Sequence, residues 1–190
     1  MNIHYLKYII SIVLISGCTS IVEKVSDGPI EETDGSRTLG QKVEDESIEF
    51  KIAVNLAKTN LELKSSNINI NSYNGLVLLT GQVPTEKSRK LAAQIAGKVK
   101  RVKRVENQLS LGAATTFLNR SSDTLITAKV HTFLLRNFGI STTSRVHIVT
   151  EESNVYLMGM VTRLEASAIT KQVKTVSGIK RIVEVYEFID

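Results

Sequence analysis

The chain of 190 residues contains no tryptophan, a single cysteine and three histidines. A single cysteine excludes an intrachain disulfide. Neither His131 nor His147, the two histidines beyond the N-terminal segment, has a second ligand nearby at the spacing that a zinc site requires. The sequence also lacks a nucleophile elbow, a phosphate-binding loop and a zinc motif. We therefore expect a binding protein without metal or cofactor, with a hydrolase as the enzymatic alternative.

The N-terminal apolar segment is short and ends at the one cysteine. Lys7 precedes an uncharged run from Tyr8 to Ile15, whereas a helix that crosses a bilayer core of about 30 Å needs about 20 apolar residues. We therefore interpret residues 1–17 as a secretory signal peptide. Small residues lead up to Cys18, which indicates modification of its thiol.

The stretch Ile15-Ser16-Gly17-Cys18 resembles the lipobox of bacterial lipoproteins. The resemblance implies that lipid is attached to the Cys18 thiol, that the signal is removed and that Cys18 becomes the new N-terminus. Thr19 is not the aspartate that retains enterobacterial lipoproteins in the inner membrane, so the resemblance favours the outer membrane. The alternative is a cleavable signal followed by a chance cysteine.

Residues 18–43 are predicted to form the lipidated N-terminus and a flexible tether. The segment from Thr19 to Val43 is rich in Asp, Glu, Gly, Ser and Thr and has little apolar periodicity. A flexible chain of about 25 residues has an end-to-end distance of roughly 25–30 Å. The part of the chain that follows is therefore held close to a bilayer.

A block of about seventy residues occurs twice. Leu56 and Leu134, Val77 and Val155, and several further apolar pairs lie 78 positions apart. A period this long indicates two domains, which we place at 44–112 and 121–190 with a linker at 113–120. Domains of about 60 residues bury only ~60% of their unfolded surface, so the copies are expected to pack on each other.

Each copy is predicted to have the element order α-β-β-α-β, an α+β fold with a small mixed three-stranded sheet and both helices on one face. The first helix is indicated by apolar residues at every fourth position, namely Ile48, Ile52 and Leu56, and Ile126, Val130 and Leu134. Asn74-Gly75 predicts a two-residue hairpin loop, because both residues tolerate positive φ. We place the second-copy loop at Ser153-Asn154.

Gly81 and Gly159 lie inside the returning strands. An interior strand glycine indicates a bulge or a close backbone approach. We expect a helix or the other copy to lie against the sheet at these glycines, in a packing role without binding function.

The two units resemble BON domains. The resemblance lies in the strands Leu78-Leu79-Thr80-Gly81-Gln82-Val83 and Tyr156-Leu157-Met158-Gly159-Met160-Val161, each followed by a helix and by Val102-Lys103-Arg104-Val105 or Ile179-Lys180-Arg181-Ile182. With its signal and tether, the whole chain is similar to enterobacterial lipoproteins with two BON domains. The resemblance implies a periplasmic-face outer-membrane protein that binds anionic phospholipid, gathers at division sites and supports envelope integrity.

The resemblance places phospholipid contact on the first helix of the second copy, with a tryptophan where this chain has Leu125. Exposed apolar side chains surrounded by cations form a surface that can insert into the headgroup layer of a membrane. The predicted contact residues are Leu125, Ala128, Lys129, Thr132, Leu135, Arg136 and Phe138. Alternatively, the large apolar side chains among them seal the contact between the copies. The first-copy helix carries Glu46 and Glu49 near those places and is judged less suited.

The run from Lys98 to Arg104 contains five cations in seven residues, within a chain of net charge +5. Aromatic residues for base stacking are not interleaved with these cations, and export argues against a nucleic-acid partner. We interpret the run as a solvated face, or as a secondary attraction for anionic lipid or cell-wall polymer. The alternative function is an interaction scaffold whose apolar helix docks an outer-membrane assembly or division protein.

Replacing the one cysteine tests the anchor. If Cys18 carries lipid, Cys18→Ser leaves an unprocessed or soluble periplasmic species, because this thiol is the only attachment point. Partitioning into a detergent phase measures the change. Partitioning that the substitution leaves unaltered would show that the chain is not anchored through this residue.

Overall fold

The computed structural model describes residues 35–113 and 117–190. The signal peptide, Cys18 and the first part of the predicted tether lie outside the described residues, as does the centre of the predicted linker. The described chain belongs to one structural unit, Asp34–Asp190. Within the described ranges, no helix has both the length and the apolar character needed to span a bilayer.

The two copies repeat the same order of elements. The first copy contains α1 (Leu39–Thr59), α2 (Leu61–Ser65), β1 (Asn67–Tyr73), β2 (Leu76–Val83), α3 (Glu86–Gly97), β3 (Arg104–Asn107) and β4 (Ser110–Leu111). The second copy contains α4 (Phe117–Ser144), β5 (Val146–Glu151), β6 (Asn154–Val161), α5 (Arg163–Val173) and β7 (Arg181–Phe188).

The first helix begins earlier than the sequence predicts. α1 starts at Leu39, inside the segment assigned to the tether, because Thr38 and Gln41 form a capping box. The Thr38 hydroxyl accepts the Gln41 N–H at 3.2 Å, and the Gln41 side-chain oxygen accepts the Thr38 N–H at 2.7 Å. These bonds satisfy N–H groups that a helix start leaves unpaired. α4 likewise starts at Phe117, inside the predicted linker.

Both first helices break before their strand begins, which the apolar period does not predict. α1 ends at Thr59, and the side chain of the next residue, Asn60, accepts the N–H groups of Glu62 and Leu63 and so starts the short helix α2. In α4 the break is at Gly139, with φ 74° and ψ −178°. A side chain rarely adopts this positive φ, whereas glycine adopts it readily.

The first sheet has four strands where the sequence predicts three. β1 pairs with β2 in antiparallel fashion, and β2 pairs in parallel with both β3 and β4. The last two are pieces of one predicted strand, which is interrupted at Gln108 and Leu109, where the Leu109 N–H donates to the Asn107 side-chain oxygen at 3.3 Å. The second sheet has the predicted three strands in the order β5-β6-β7.

Two hydrophobic cores confirm that both helices of each copy pack on one face of its sheet. Alternate residues of β2, such as Val77 and Leu79, meet α1 and α3 in the first core. Val155 and Leu157 of β6 meet α4 and α5 in the second core. The predicted apolar stripes of both first helices are buried in these cores.

A third core joins the two copies through the opposite faces of their sheets. It is formed by Tyr73, Leu78, Tyr156, Met158 and Val185, all buried. The Tyr73 hydroxyl also donates a hydrogen bond to the Arg145 carbonyl oxygen at 2.8 Å. The copies therefore pack on each other as expected, in the layer order helix, sheet, sheet, helix. The sheets form this contact, so the alternative that the outer side chains of α4 seal it is wrong.

A buried carboxylate ties the first hairpin to the first helix. Asp45 accepts the N–H groups of Asn74 at 2.8 Å and Gly75 at 2.9 Å, and the Ser72 hydroxyl at 2.7 Å. Arg37 forms an ion pair with it at 2.8 Å. Burial alone would raise the pKa of Asp45, but these hydrogen bonds outweigh burial and hold the pKa below its ordinary value.

The second copy repeats this contact between a helix aspartate and the N–H groups of a hairpin loop, which we call the clamp, although its loop contains no glycine. Asp123 accepts the N–H groups of Glu152 and Ser153, each at 2.8 Å. These two residues form the loop, with φ values of 51° and 64°, so the predicted loop at Ser153-Asn154 is shifted by one residue. Asn154 is instead the first residue of β6.

Close backbone contact accounts for Gly81 and Gly159, but the neighbour differs from the prediction. A Cβ atom on Gly81 would overlap the carbonyl oxygen of Asn67, and one on Gly159 would lie 2.5 Å from that of Arg145. Both neighbours lie where the chain enters the adjacent strand. The crowding therefore comes from the same sheet and not from a helix or the other copy.

The Asp45 clamp predicts a pH-dependent stability. Because the folded-state pKa is depressed, the contribution of the carboxylate to the free energy of unfolding is present above about pH 4 and is lost at lower pH. We expect Asp45→Asn to lower this free energy by about 2–3 kcal/mol at pH 7. The difference in the free energy of unfolding between this variant and wild type should become smaller as the pH is lowered through the depressed pKa. Urea unfolding at several pH values measures it. Glu46→Gln, at an exposed neighbour, is the control, and a pH-independent difference would contradict a charged clamp.

Candidate functional site

The side of α4 that faces away from the second core carries five of the predicted lipid-binding residues. They recur at intervals of three and four, opposite the buried stripe of the same helix. Leu125 leads the group and is 63% exposed, as the sequence predicts. The five residues are Leu125, Ala128, Lys129, Thr132 and Arg136.

These five residues line a shallow groove with a volume of about 450 Å³, together with Phe133 and Val176. Its floor and walls are largely apolar, and Lys129 and Arg136 lie exposed along it. Among the residues that the structure describes, neither cation has an ion-pair partner. The groove therefore offers an apolar contact flanked by two uncompensated positive charges.

Val176 reaches the groove from the loop that follows α5, and sequence analysis missed it. The loop packs on α4, since the backbone at Gly178 lies against the Ile126 side chain. The corresponding valine of the first copy, Val99, is buried in its core. Val176 likewise packs against the second core, and no signal in the sequence indicates that it also lines the groove.

Two predicted residues do not join this groove. Phe138 is partly buried and packs against the second core, so its role as a lipid contact stays a prediction that this groove does not support. Its helical position lies closer to the buried stripe than to Leu125, and the helix breaks at the next residue, Gly139. Leu135 is 40% exposed but lies beside the groove rather than in its lining.

The cationic run of the first copy is partly neutralised. Arg101 forms an ion pair with Glu44 at 2.7 Å, and Lys103 forms one with Glu187 at 3.0 Å. These contacts agree with a solvated face. Exposed pairs of this kind contribute little to stability, but they reduce the positive charge that the run presents to a ligand.

The first-copy helix exposes more apolar surface than the sequence analysis assumed. Leu39, Val43 and Phe50 are all largely exposed on one side of α1. The judgement that this helix is less suited to contact rested on Glu46 and Glu49. Glu49 is in fact occupied, since it accepts the N–H of Ser72 at 2.6 Å.

Across the described ranges, no three His, Cys, Asp or Glu side chains are placed so that they could hold a metal ion. The exposed His131 lies on α4, and the His147 ring nitrogen lies 3.3 Å from the Asn71 side-chain oxygen. Burial, together with the nearby Arg37, lowers the pKa of His147.

Comparison with known proteins places this architecture in a family. Over 179 residues the chain is 29% identical to the outer membrane lipoprotein DolP of Haemophilus influenzae, with 94% of this chain and 92% of that protein covered. Over 153 residues it is 30% identical to the 21 kDa hemolysin of Actinobacillus pleuropneumoniae, with 80% and 78% covered.

Among solved structures, the chain matches CdsD, a structural protein of the type III secretion system of Chlamydia trachomatis, with a TM-score of 0.30 and 15% identity. That match covers 76% of this chain and 63% of the other, so the chain spans less than two thirds of its length. The sequence profile of the BON domain matches residues 44–113 and 122–186. The chain therefore belongs to the BON domain family and carries two copies of the domain.

Proposed function

We propose that this protein is an outer-membrane lipoprotein, anchored at Cys18 on the periplasmic face, that binds anionic phospholipid through the outward face of α4. The observation that carries the proposal is the groove at Leu125, with its apolar lining and two exposed cations. The similarity of the chain to the outer membrane lipoprotein of Haemophilus influenzae, over most of both chains, supports the location. The family resemblance supports a role in envelope integrity at division sites.

The groove has the chemistry of an interfacial contact. A helix that lies in the plane of a membrane buries apolar side chains just below the headgroups and keeps cations at their level. Leu125 supplies the exposed apolar tip. Lys129 and Arg136 follow it on the same face, where each can meet a lipid phosphate. The opposite stripe of α4 stays in the second core, so this contact requires no unfolding.

The magnitudes describe a weak contact that an anchor makes effective. Burying an apolar side chain such as Leu125 contributes about 1.5–3 kcal/mol at best, and each cation near an anionic surface adds about 1 kcal/mol. Orientation and side-chain ordering oppose part of this gain. A lipid anchor raises the effective concentration of the site toward the millimolar range, at which a weak contact is mostly occupied.

The anchor also allows α4 to reach the bilayer. Sixteen residues, 19–34, separate Cys18 from the first described residue, Gly35, and such a segment spans at most about 60 Å when fully extended. This limit exceeds the thickness of the four packed layers, roughly 40 Å at about 10 Å for each layer. Covalent geometry therefore permits either side of the domain pair to face the membrane, and the chemistry of the sides decides between them.

Leu125→Glu is expected to abolish vesicle binding without unfolding the protein. The residue is exposed, and surface substitutions usually change stability by no more than about 0.5 kcal/mol, whereas a carboxylate is repelled by an anionic bilayer. Co-sedimentation of the mature chain with phosphatidylglycerol vesicles measures binding, and thermal unfolding measures stability. The mature chain carries Cys18→Ser, so that binding reports on the helix alone.

Two matched variants sharpen this experiment. Leu61→Glu changes a leucine that is 82% exposed on the first copy and should leave binding unaltered. Leu125→Trp should strengthen binding, because an indole ring suits the membrane interface. If Leu125→Glu binds as wild type, or lowers the thermal midpoint by many degrees, the lipid face has been assigned to the wrong surface.

Charge reversal tests the two groove cations. Lys129→Glu combined with Arg136→Glu should lower vesicle affinity at least tenfold, because both charges lie at the headgroup level. Lys98→Glu combined with Lys100→Glu, an equal change in charge on the first copy, should have a small effect that disappears at physiological salt. Equal losses in the two double variants would show that net charge, rather than the groove, attracts the membrane.

A further inference from the structure

A second groove lies at one side of the molecule, where the edges of the two sheets meet below α1. Its volume is about 530 Å³. Three elements line it: α1, the edge strand β1 of the first sheet and the edge strand β5 of the second sheet. The residues involved are Glu49, Phe50 and Ala53, 68–71 and 149–151.

The hairpin register shows which backbone groups of β1 remain unpaired. Tyr73 and Leu76 close the two-residue loop, so the odd-numbered residues of β1 exchange hydrogen bonds with β2, and Ile68, Ile70 and Ser72 point their backbone groups outward. The outward N–H of Ser72 is taken by Glu49. In the described part of the chain, no group bonds the outward N–H of Ile68 or Ile70.

An exposed aromatic side chain stands beside these unpaired groups. Phe50 is 71% exposed, and the neighbouring Ala53 is also exposed. The second copy has Ala128 at the position of Phe50, so its first helix has no aromatic side chain at this point of the repeat. The charged residues that line the groove, Glu49 and Glu151, are both acidic, although the chain as a whole is basic.

We propose that this groove docks an extended segment of a partner protein, with alternating apolar and basic residues, which adds to β1 as a further strand. The two outward N–H groups and their carbonyl neighbours supply the strand pairing, as in other cases of β-strand addition. Phe50 and Ala53 receive the apolar side chains. The carboxylates of Glu49 and Glu151 accept hydrogen bonds only from neutral groups among the described residues, so their negative charge attracts the basic side chains.

Other occupants fit the groove less well. Acyl chains cannot hydrogen-bond the unpaired backbone of an edge strand, so a membrane leaves these groups unsatisfied. A second copy pairing edge to edge through β1 would bring the acidic groove residues of both chains together, and opposed like charges are destabilising. A basic, extended peptide satisfies both the backbone and the charge.

A synthetic peptide tests the proposal on the mature chain carrying Cys18→Ser. The probe is a fluorescein-labelled seven-residue peptide of alternating Lys and Val, measured by fluorescence anisotropy up to about 1 mM, the range of weak specific binding. We expect saturable binding, and we expect the same peptide with Glu in place of Lys to bind at least tenfold more weakly. Methylating the backbone nitrogens of one alternate set of residues should abolish binding.

Amide hydrogen exchange gives a signature that belongs to strand addition alone. The peptide should slow exchange at Ile68 and Ile70, which are unpaired in the free protein. Exchange at Asn69 and Asn71 should not change, because these amides already bond to β2. Uniform protection along β1, or none, would overturn the proposal, as would equal binding of the peptide and both of its methylated forms.

Two matched variants locate the apolar contact. Phe50→Ala should weaken peptide binding at least fivefold, whereas Leu39→Ala, at an equally exposed residue of α1 outside the groove, should leave it unchanged. Both changes lie on an exposed helix face, and thermal unfolding checks that the fold is intact. If Phe50→Ala lowers vesicle binding and leaves peptide binding unaltered, this face contacts lipid and the proposal fails. Leu125→Glu should not affect peptide binding, so this groove and the α4 face are tested separately.

Discussion

The packing of one sheet against the other determines which surfaces of this protein remain available for binding. Each sheet has buried apolar side chains on both faces, and its own helices cover only one face. The other is covered by the second copy, through side chains such as Leu78 and Met158 that are completely buried. At about 1.5–3 kcal/mol for each large apolar side chain, this contact is a substantial part of the stability of two small domains. Neither copy could expose that face to water at little cost.

This constraint gives the molecule two outer helical layers and a lateral side where the sheet edges lie. The outer face of α4 belongs to one helical layer, and the outer face of α1 belongs to the other. A flat bilayer in contact with Leu125 therefore leaves Phe50 on a different side of the protein. Membrane attachment and protein docking, which sequence analysis treated as competing functions of one helix, can use separate surfaces.

The sequence predicts what depends on local period and on repetition. The apolar stripes of both first helices, the strand order and the exposure of Leu125 follow from these patterns. The sequence does not predict contacts that depend on how elements meet in space. Val176 packs against the second core and also lines the groove, because its loop packs on α4, and Phe138 is partly buried against the same core just before the break at Gly139. The face of contact between the copies is also hidden, because strands buried on both sides show no alternation.

The two hairpins show which residue determines a loop conformation. The first loop uses Asn74-Gly75, a pair suited to positive φ, whereas the second holds Glu152 and Ser153 in the same conformation. What both loops share is an aspartate located 29 residues before the first loop residue, whose carboxylate receives two loop N–H groups. The amino acids of the loop can therefore differ between the copies as long as the aspartate is present. In divergent chains of this architecture, an aspartate near the start of the first helix is a better guide to the hairpin than the amino acids within it.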